Sequence, residues 1–196
     1  MNKTISYYNE NALDYFEKTF GLDNSLNQKM FLREVSKAGY NNPKMLDVGC
    51  GACRDAYFFG QNGIQVCPID ASGELASIVK EKLGINIQVM NMSDISFAEE
   101  FELVWASASI LHLSKEDAKE VMVKCHNALK TNGLFYISVK AREDEDFSDG
   151  ERYFSYYEKD ELAKILKGIG FSEKCFWYNC DSLGRPTIWL NFVVQK

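Results

Sequence analysis

The chain has 196 residues, of which 28 are acidic and 22 basic, and its formal net charge is −6. Hydrophobic residues make up 46% and charged residues 26% of the chain, which excludes a disordered, collagen-like or coiled-coil protein. An acidic chain without a long run of Lys or Arg is unsuited to nucleic acid or to an anionic membrane, because both require clustered cations. No stretch approaches the roughly 18 apolar residues of a membrane span. We therefore expect no nucleic-acid or membrane partner.

The N-terminus and the cysteines indicate the compartment. Residues 1–10 are polar and aromatic rather than apolar, so we expect no signal peptide and a cytoplasmic location. Six cysteines in such a chain are then reduced thiols. Cys50 and Cys53 have the spacing of a metal or redox pair, but a zinc site needs a second close pair, and Cys175 and Cys180 stand too far apart. We expect no metal.

The first 42 residues predict a helical cap. Apolar spacing indicates one helix over Asn11–Phe20, and Ser25 with Gln28 has the pattern of a capping box that opens a second. A proline then closes the segment. We therefore expect a cap or lid over residues 1–42 and a main domain over 43–196, within a single domain overall.

From residue 44 the chain alternates strands and helices. The predicted strands are Lys44–Val48, Ile64–Ile69, Asn86–Met90, Phe101–Ala106, Leu134–Val139, Glu173–Asn179 and Thr187–Val194. The predicted helices begin near Cys53, Ser72 and Ser114, and a fourth covers Leu162–Ile169. This alternation predicts an α/β fold, with a Rossmann-like, seven-stranded, mostly parallel sheet and helices on both faces. No helix separates the last two strands, so the last strand should be antiparallel.

A glycine-rich turn follows the first strand. Gly49 and Gly51 allow a sharp turn and a close approach to a ligand, and the next helix offers free N–H groups. Arg54 stands at the sixth position of a GxGxxG fingerprint, which disfavours a pyrophosphate. Asp70 ends the second strand, 70 − 47 = 23 residues after Asp47, where a carboxylate can accept ribose hydroxyls. The combination predicts a ligand that contains a nucleoside.

The third strand is followed by Asn91 and Met92, whose side-chain amide and backbone N–H suit a purine edge. Each of these features also has a structural alternative. The glycines can serve a plain strand–turn–helix, Asp70 can cap a helix, and Asn91 can end a strand as a turn residue.

These motifs resemble those of class I S-adenosylmethionine-dependent methyltransferases over residues 44–139, nearest to the ubiquinone-biosynthesis-like and tellurite-resistance-like small-molecule enzymes. The resemblance implies an enzyme that uses S-adenosyl-L-methionine and methylates a small-molecule acceptor by in-line displacement. It assigns the cofactor to Tyr15, Thr19, Asp47, Gly49, Cys50, Gly51, Arg54, Asp70, Ala71, Asn91, Met92, Ala106 and Ser107.

The chain departs from the family pattern at three points. Cys53 replaces the common third glycine, Asn91 replaces an Asp near the adenine, and Thr131-Asn132 replaces Pro-Gly before the fifth strand. Cys53 is small and Asn91 keeps one acceptor oxygen, so we expect the site to be retained.

Methyl transfer from a sulfonium requires mainly positioning and a dry pocket, and a base only where the acceptor must lose a proton. His112, just after the fourth strand, is the candidate base, and the alternative is a structural histidine among apolar neighbours. We expect His126 to be structural. The resemblance places the acceptor near Tyr8, Tyr153, Tyr156 and Arg185, with packing of the cap and hairpin as the alternative.

Two other functions remain open. One is a protein that senses or presents S-adenosylmethionine without turnover, and the other is a nicotinamide-dependent oxidoreductase, which Arg54 disfavours. A nucleic-acid methyltransferase conflicts with the acidic charge and with Ala106-Ser107-Ala108-Ser109 after the fourth strand, where such enzymes carry an Asn/Asp-Pro-Pro-Tyr/Phe motif. The net charge favours a neutral or cationic small-molecule acceptor.

Overall fold

The structure is a computed structural model and describes residues 3–141, 147–148 and 151–196. The helices are α1 (Lys3–Glu10), α2 (Ala12–Thr19), α3 (Ser25–Ala38), α4 (Arg54–Gln61), α5 (Gly73–Leu83), α6 (Lys115–Ala128) and α7 (Lys159–Ile169). The strands are β1 (Lys44–Val48), β2 (Gln65–Asp70), β3 (Gln88–Val89), β4 (Phe101–Ser107), β5 (Leu129–Lys140), β6 (Phe147–Ser148), β7 (Tyr153–Phe154), β8 (Ser172–Cys180) and β9 (Ile188–Gln195). Short 3₁₀ turns cover Met92–Asp94 and Ile110–His112.

Seven of these strands form one sheet in the order β3-β2-β1-β4-β5-β9-β8. The pairs β1–β2, β1–β4, β2–β3 and β4–β5 are parallel, whereas β9 is antiparallel to both β5 and β8. This confirms the predicted fold class, including the antiparallel last strand. The chain moves outward from β1 to β3 and returns at β4, so the strand order reverses beside β1. Open α/β sheets bind their ligands at such a point.

Helices cover both faces of the sheet because its central strands are apolar on both sides. On one face, Phe31 of α3 and Phe59 of α4 pack against Trp105, with ring centroids 5.2 and 4.8 Å away. On the other face, Met122 of α6 and Leu166 of α7 lie in a second buried cluster. The sheet is thereby fixed from both sides, and its carboxyl-terminal edge is held in place.

The N-terminal segment contains one helix more than the sequence pattern predicts. The buried residue of α1 is Thr4, which is polar. Because no apolar side chain of α1 is buried, no apolar pattern in the sequence indicated this helix. Both α1 and α2 pack against α5, and Asn9 accepts a 2.7 Å hydrogen bond from the hydroxyl of Ser72. The cap is therefore tied to the start of α5.

The predicted capping box at Ser25 is wrong. Asn24 is the N-cap residue of α3, and Ser25 is the first helical residue. The side chain of Gln28 instead donates to Asp55 at 2.8 Å. Ser114, where the sequence predicts a helix to begin, does cap α6: its hydroxyl accepts the backbone N–H of Asp117 at 3.1 Å.

Two of the seven predicted strands differ from the observed strands by more than one residue at an end. β3 has 2 residues, rather than spanning Asn86–Met90. β5 begins at Leu129 rather than Leu134, and its register with β4 shifts just after Phe101. Asn132 within this start has a φ of +65°, so an irregular extension of β5 replaces the predicted loop.

Within the described ranges, no helix is long and apolar enough to cross a membrane. The same residues hold no group of three or more His, Cys, Asp or Glu side chains that could bind a metal ion.

Candidate active site

A cavity of about 470 Å³ opens where β1, β2 and β4 end, beside the reversal of strand order. Most residues assigned from the sequence line it: Tyr8, Tyr15, Thr19, Asp47, Gly49, Cys50, Gly51, Arg54, Asp70, Ala71, Asn91, Met92, Ser107, His112 and Arg185. Ala106, Tyr153 and Tyr156 are not among the lining residues. Ala106 is fully buried in the core, because its side chain lies in the apolar cluster that also contains Met122 of α6 and Leu166 of α7.

The glycine turn forms a cradle that other residues would fill. Gly49 has a φ of +69°, and a Cβ there would lie 2.5 Å from Cβ of Ser109. At Gly51, with a φ of +52°, a Cβ would lie 3.2 Å from the ring of Tyr15. The N–H groups of Gly49 and Cys50 both donate to the carbonyl of Ile69, at 2.9 and 3.0 Å. The turn is thus fastened to β2 and kept open toward the cavity.

Asp70 is held by the backbone on both oxygens. Gly51 N–H donates to Oδ2 and Ser72 N–H to Oδ1, each at 2.9 Å. Burial raises the pKa of Asp70, and these N–H groups oppose that rise. The N-cap of α5 is Ser72, which accepts from Leu75 N–H, so Asp70 is not the helix cap that the alternative supposed. Each oxygen retains capacity for another donor on the cavity side.

Asp47 is a buried acid, and one of its two oxygens has no partner among the described residues. It is 3% exposed, and its Oδ2 has no hydrogen-bond partner among the described residues. Burial, and then the neighbouring Asp55 and Asp70, raise the pKa of Asp47 well above its ordinary value of 3.8. An orphaned buried acceptor at a cavity wall fits a ligand that brings hydrogen-bond donors or positive charge.

Asn91 performs the turn role that its structural alternative proposed. Its side-chain oxygen accepts from Ser93 N–H at 3.1 Å and caps the 3₁₀ turn Met92–Asp94. Asn91 and Met92 nevertheless both line the cavity. The two interpretations are therefore compatible, because a carbonyl oxygen has a second lone pair.

Arg54 is engaged with its neighbour rather than standing ready for a ligand carboxylate. Its Nε and Nη2 donate to Oδ1 and Oδ2 of Asp55 at 3.1 and 3.0 Å. Asp55 also accepts from Asn24, Gln28 and the indole N–H of Trp105. Burial raises the pKa of Asp55, but Arg54 and these donors outweigh it and lower the pKa overall. This buried network, which the sequence did not suggest, joins α3 and α4 beneath the cavity.

His112 is held through both ring nitrogens. Nδ1 lies 2.8 Å from the backbone carbonyl of Tyr153, and Nε2 lies 2.9 Å from the hydroxyl of Tyr8. Because a carbonyl can only accept, Nδ1 carries the proton, and Nε2 of the neutral ring accepts from Tyr8. Burial raises the pKa of Tyr8, which keeps this phenol protonated. Tyr153 thus contributes its backbone to the site, not its side chain.

The far end of the cavity contains two bases that the sequence pattern did not indicate. Nζ of Lys140 lies 3.8 Å from the ring centroid of Phe154, and Cζ of Arg152 lies 5.2 Å from it. The side chains of Lys140 and Arg152 both line the cavity. Tyr156 instead packs against the core, and its ring centroid lies 5.7 Å from Nζ of Lys140. Only the position of Lys140 could have indicated it from the sequence, because Lys140 is the last residue of β5 and the carboxyl end of β5 faces the cavity. Arg185 forms an ion pair with Asp181, in which Nη2 of Arg185 lies 2.7 Å from Oδ2 of Asp181.

A family model described as "Methyltransferase domain" matches residues 46–137. Phosphoethanolamine N-methyltransferase of Plasmodium falciparum (isolate 3D7) is 27% identical over 143 residues. That alignment covers 66% of this chain and 54% of the relative, so the chain spans about half of its length. An uncharacterized methyltransferase of Staphylococcus carnosus (strain TM300) is 20% identical over 166 residues, 85% of this chain and 74% of that protein.

Among solved structures, the Burkholderia thailandensis 1,6-didemethyltoxoflavin-N1-methyltransferase is similar with a TM-score of 0.82 and 16% identity. The match covers 99% of this chain and 87% of that one, which shows a shared fold. That enzyme was crystallised with 1,6-didemethyltoxoflavin and S-adenosylhomocysteine. Residues 46–137 of this chain thus match a methyltransferase domain, and the chain shares its fold with a methyltransferase that was crystallised with S-adenosylhomocysteine.

Proposed function

We propose that this protein methylates a small-molecule acceptor with S-adenosylmethionine. The observation that carries the proposal is the two-ended cavity. One end has the glycine cradle with Asp47 and Asp70, and the other has the His112–Tyr8 pair. The two relatives named for a substrate, phosphoethanolamine and 1,6-didemethyltoxoflavin, both act on small nitrogen compounds, which supports a small acceptor.

The residues of the first end suit S-adenosylmethionine in their chemistry. Gly49 and Gly51 provide backbone close to a ligand, Asp70 offers two oxygens to ribose hydroxyls, and Asp47 offers an acceptor to a positively charged group. Asn91 and Met92 would lie at the adenine. When bound, the cofactor supplies a methyl group on a positively charged sulfur, which is already activated for displacement.

The cap would exclude water from the reaction. Tyr15 lies edge-on to Tyr8, with ring centroids 5.0 Å apart, and both line the cavity. Displacement by a neutral nucleophile is favoured in a dry site, because water no longer competes for the reacting groups. We therefore assign residues 1–42 the role of a lid over the main domain, 43–196. The cytoplasmic location expected from the sequence stays a prediction.

His112 would remove the proton of acceptors that must lose one. Its protonated Nδ1 is fixed by the carbonyl of Tyr153, so Nε2 is the basic atom. The hydroxyl of Tyr8 occupies Nε2 in this arrangement. The proton then passes through the phenol: Tyr8 gives its proton to Nε2 and takes one from the acceptor, so its charge is unchanged. His112 is the base and Tyr8 the group that touches the acceptor.

Calorimetric titration tests the cofactor assignment first. We expect S-adenosylmethionine and S-adenosylhomocysteine to bind the purified protein, and NAD to bind weakly or not at all. Transfer of labelled methyl to a panel of small phenols, amines and thiols then separates an enzyme from a cofactor-binding protein. Tight binding of NAD without binding of S-adenosylmethionine would overturn the proposal.

A further inference from the structure

Two consecutive residues, Arg152 and Tyr153, contact both members of the Tyr8–His112 pair. The carbonyl of Tyr153 accepts from Nδ1 of His112 at 2.8 Å. The guanidinium of Arg152 hydrogen-bonds the hydroxyl of Tyr8, which itself lies 2.9 Å from Nε2 of His112. One short segment therefore holds the base through a backbone carbonyl and the phenol through a side chain.

The guanidinium of Arg152 is kept in place by aromatic rings. Its Cζ lies 4.4 Å from the ring centroid of Tyr7 and 5.2 Å from that of Phe154, which is buried. A planar guanidinium against a ring keeps its N–H groups at its edge, where they can still donate. The backbone N–H of Tyr153 lies 3.4 Å from Oγ1 of Thr4, so the segment is also joined to α1.

The chemistry of these groups sets the direction of each hydrogen bond. A guanidinium can only donate, so the oxygen of Tyr8 accepts from Arg152. A phenol has one proton and two lone pairs, and the proton of Tyr8 is therefore directed to Nε2 of His112. The carbonyl of Tyr153 requires the same tautomer. One lone pair of Tyr8 is left, and because Tyr8 lines the cavity, a ligand there can donate to it.

A positively charged donor on the phenol oxygen assists transfer of its proton. As the proton of Tyr8 leaves for His112, negative charge develops on the oxygen, and the guanidinium stabilises that charge. Burial and then Tyr15 raise the pKa of Tyr8, whereas Arg152 opposes the rise. Arg152 has other contacts as well, and this role requires only its hydrogen bond to Tyr8.

We propose that Arg152 is a positioning residue for proton transfer from Tyr8 to His112, and that the acceptor is methylated at an O–H or N–H group that donates to Tyr8. This inference rests on the proposed function. An acceptor atom without hydrogen, as in a tertiary amine or a thioether, would leave the remaining lone pair of Tyr8 without a donor.

The proposed step balances in protons and electrons. The O–H or N–H bond of the acceptor breaks, its proton moves to the oxygen of Tyr8, and the proton of Tyr8 moves to Nε2 of His112. The electron pair left on the acceptor atom forms the bond to the methyl carbon, and the pair of the broken carbon–sulfur bond stays on sulfur. His112 releases its extra proton to water after the product leaves.

Nitrogen NMR of the histidine rings tests the role of Arg152 without an acceptor. The chain has 2 histidines, so His126 serves as an internal reference. Tyr8→Phe should move the Nε2 resonance of His112 toward that of a ring nitrogen that accepts no hydrogen bond. Arg152→Met should move it in the same direction, because a phenol that no longer accepts is a weaker donor. Arg152→Lys restores a donor and should move it less.

Arg33→Met is the matched control for the loss of an arginine. Arg33 pairs with Glu34 on α3, is not among the residues that line the cavity, and leaves Glu34 paired with Lys37 when removed. This variant should leave the signals of His112 unchanged. An unchanged His112 in Arg152→Met, or an equal shift in Arg33→Met, would overturn the role of Arg152.

A matched pair of probes tests the acceptor group. 4-Nitrophenol and 4-nitroanisole differ in the hydroxyl hydrogen, which a methyl group replaces in the second. Each is titrated into the protein loaded with S-adenosylhomocysteine, at a pH at which 4-nitrophenol is neutral. We expect 4-nitrophenol to bind roughly three- to tenfold more tightly, as one hydrogen bond implies. Tyr8→Phe should remove this preference.

Equal binding of the two probes, or binding of neither, by a protein that binds S-adenosylhomocysteine would overturn the inference on the acceptor and leave the proposed function standing. A preference that persists in Tyr8→Phe would also overturn it, because the hydroxyl would then be recognised elsewhere. Failure of the wild-type protein to bind S-adenosylhomocysteine would count against the proposed function itself.

Discussion

The two ends of the cavity are built in different ways. The end that we assign to the cofactor consists of backbone groups and acids from short continuous segments, with Gly51 N–H donating to Asp70 at 2.9 Å. The acceptor end consists of side chains brought together from distant parts of the chain, as Tyr8 and His112 are 104 residues apart. The first end is set by local sequence, and the second depends on the closed cap. Substitutions at one end should therefore change the affinity for the cofactor, and substitutions at the other end should change turnover.

The largest effect should come from removal of the candidate base. His112→Ala should lower kcat about 10²- to 10⁴-fold for an acceptor that must lose a proton, which is the usual contribution of a general base. The affinity for S-adenosylmethionine should stay the same, because His112 belongs to the other end. Steady-state kinetics and calorimetry measure the two quantities.

His126→Ala is the matched control for this prediction. His126 packs edge-on against Phe171, with centroids 4.9 Å apart, and is not among the residues that line the cavity. Its removal should leave kcat unchanged. Full turnover by His112→Ala would remove His112 from the role of base.

The next effect concerns the glycine cradle. Gly49→Ala should lower the free energy of unfolding by about 2–5 kcal/mol, from about 1–2 for a left-handed alanine and about 1–3 for the clash with Ser109. Gly84→Ala shares the positive φ, +71°, but has nothing within 4 Å, so it should show only the backbone part. Urea denaturation of the two variants measures the difference, and equal losses would contradict a tight cradle.

Asp70→Ala should weaken S-adenosylmethionine binding by about 1–3 kcal/mol, because ribose hydroxyls and two backbone N–H groups lose their acceptor. Asp160→Ala, which removes an exposed carboxylate of α7, is the control for net charge. Calorimetry with both variants gives the comparison. An unchanged affinity in Asp70→Ala would refute the assignment of Asp70 to the ribose.

The smallest predicted effect is that of Asp47→Asn, which should raise the stability of the protein and lower its affinity for S-adenosylmethionine. The folded-state pKa of Asp47 lies above the unfolded value, so ionised Asp47 costs folding energy increasingly as the pH rises above 3.8. Asp47→Asn should therefore stabilise the ligand-free protein near neutral pH by on the order of 1 kcal/mol, because a neutral amide avoids the cost of burying a charge. The same variant should bind S-adenosylmethionine more weakly.

Thermal unfolding at neutral and at acidic pH checks this prediction. The gain in Asp47→Asn should shrink as the pH falls to 3.8 and below, because the wild-type side chain then becomes neutral in the unfolded state as well as in the folded state. If Asp47→Asn were less stable than the wild type at neutral pH, the ionised carboxylate of Asp47 would not destabilise the fold, and the prediction would be wrong.

Most of the residues that the sequence assigns to a cofactor line one cavity, and their role there stays a prediction. Glycines after an apolar strand, together with an acid at the end of the next strand, are typical of a turn that binds a nucleoside. The fold places Gly49, Gly51 and Asp70 around one cavity. Ala106 did not follow, because alternate residues of a strand face opposite sides and Ala106 faces the core.

At the other end of the cavity, the sequence indicated some of the lining residues and missed others. His112 and Tyr8 lie together, but no local pattern marks Lys140 or Arg152, whose proximity to Phe154 arises only when β5 and β7 are in place. Arg54 shows where motif matching fails. Its guanidinium donates to the neighbouring carboxylate of Asp55, within a buried hydrogen-bond network that residue spacing does not predict. Such pairings depend on tertiary packing rather than on local spacing.

Transfer of the labelled methyl group of S-adenosylmethionine tests the central claim most directly. Incubation of the wild-type protein with the labelled cofactor and a panel of small acceptors should yield a labelled acceptor and S-adenosylhomocysteine. If the protein binds the cofactor but the label stays in it with every acceptor, the chain is a cofactor-binding protein without methyl transfer, and the account is contradicted.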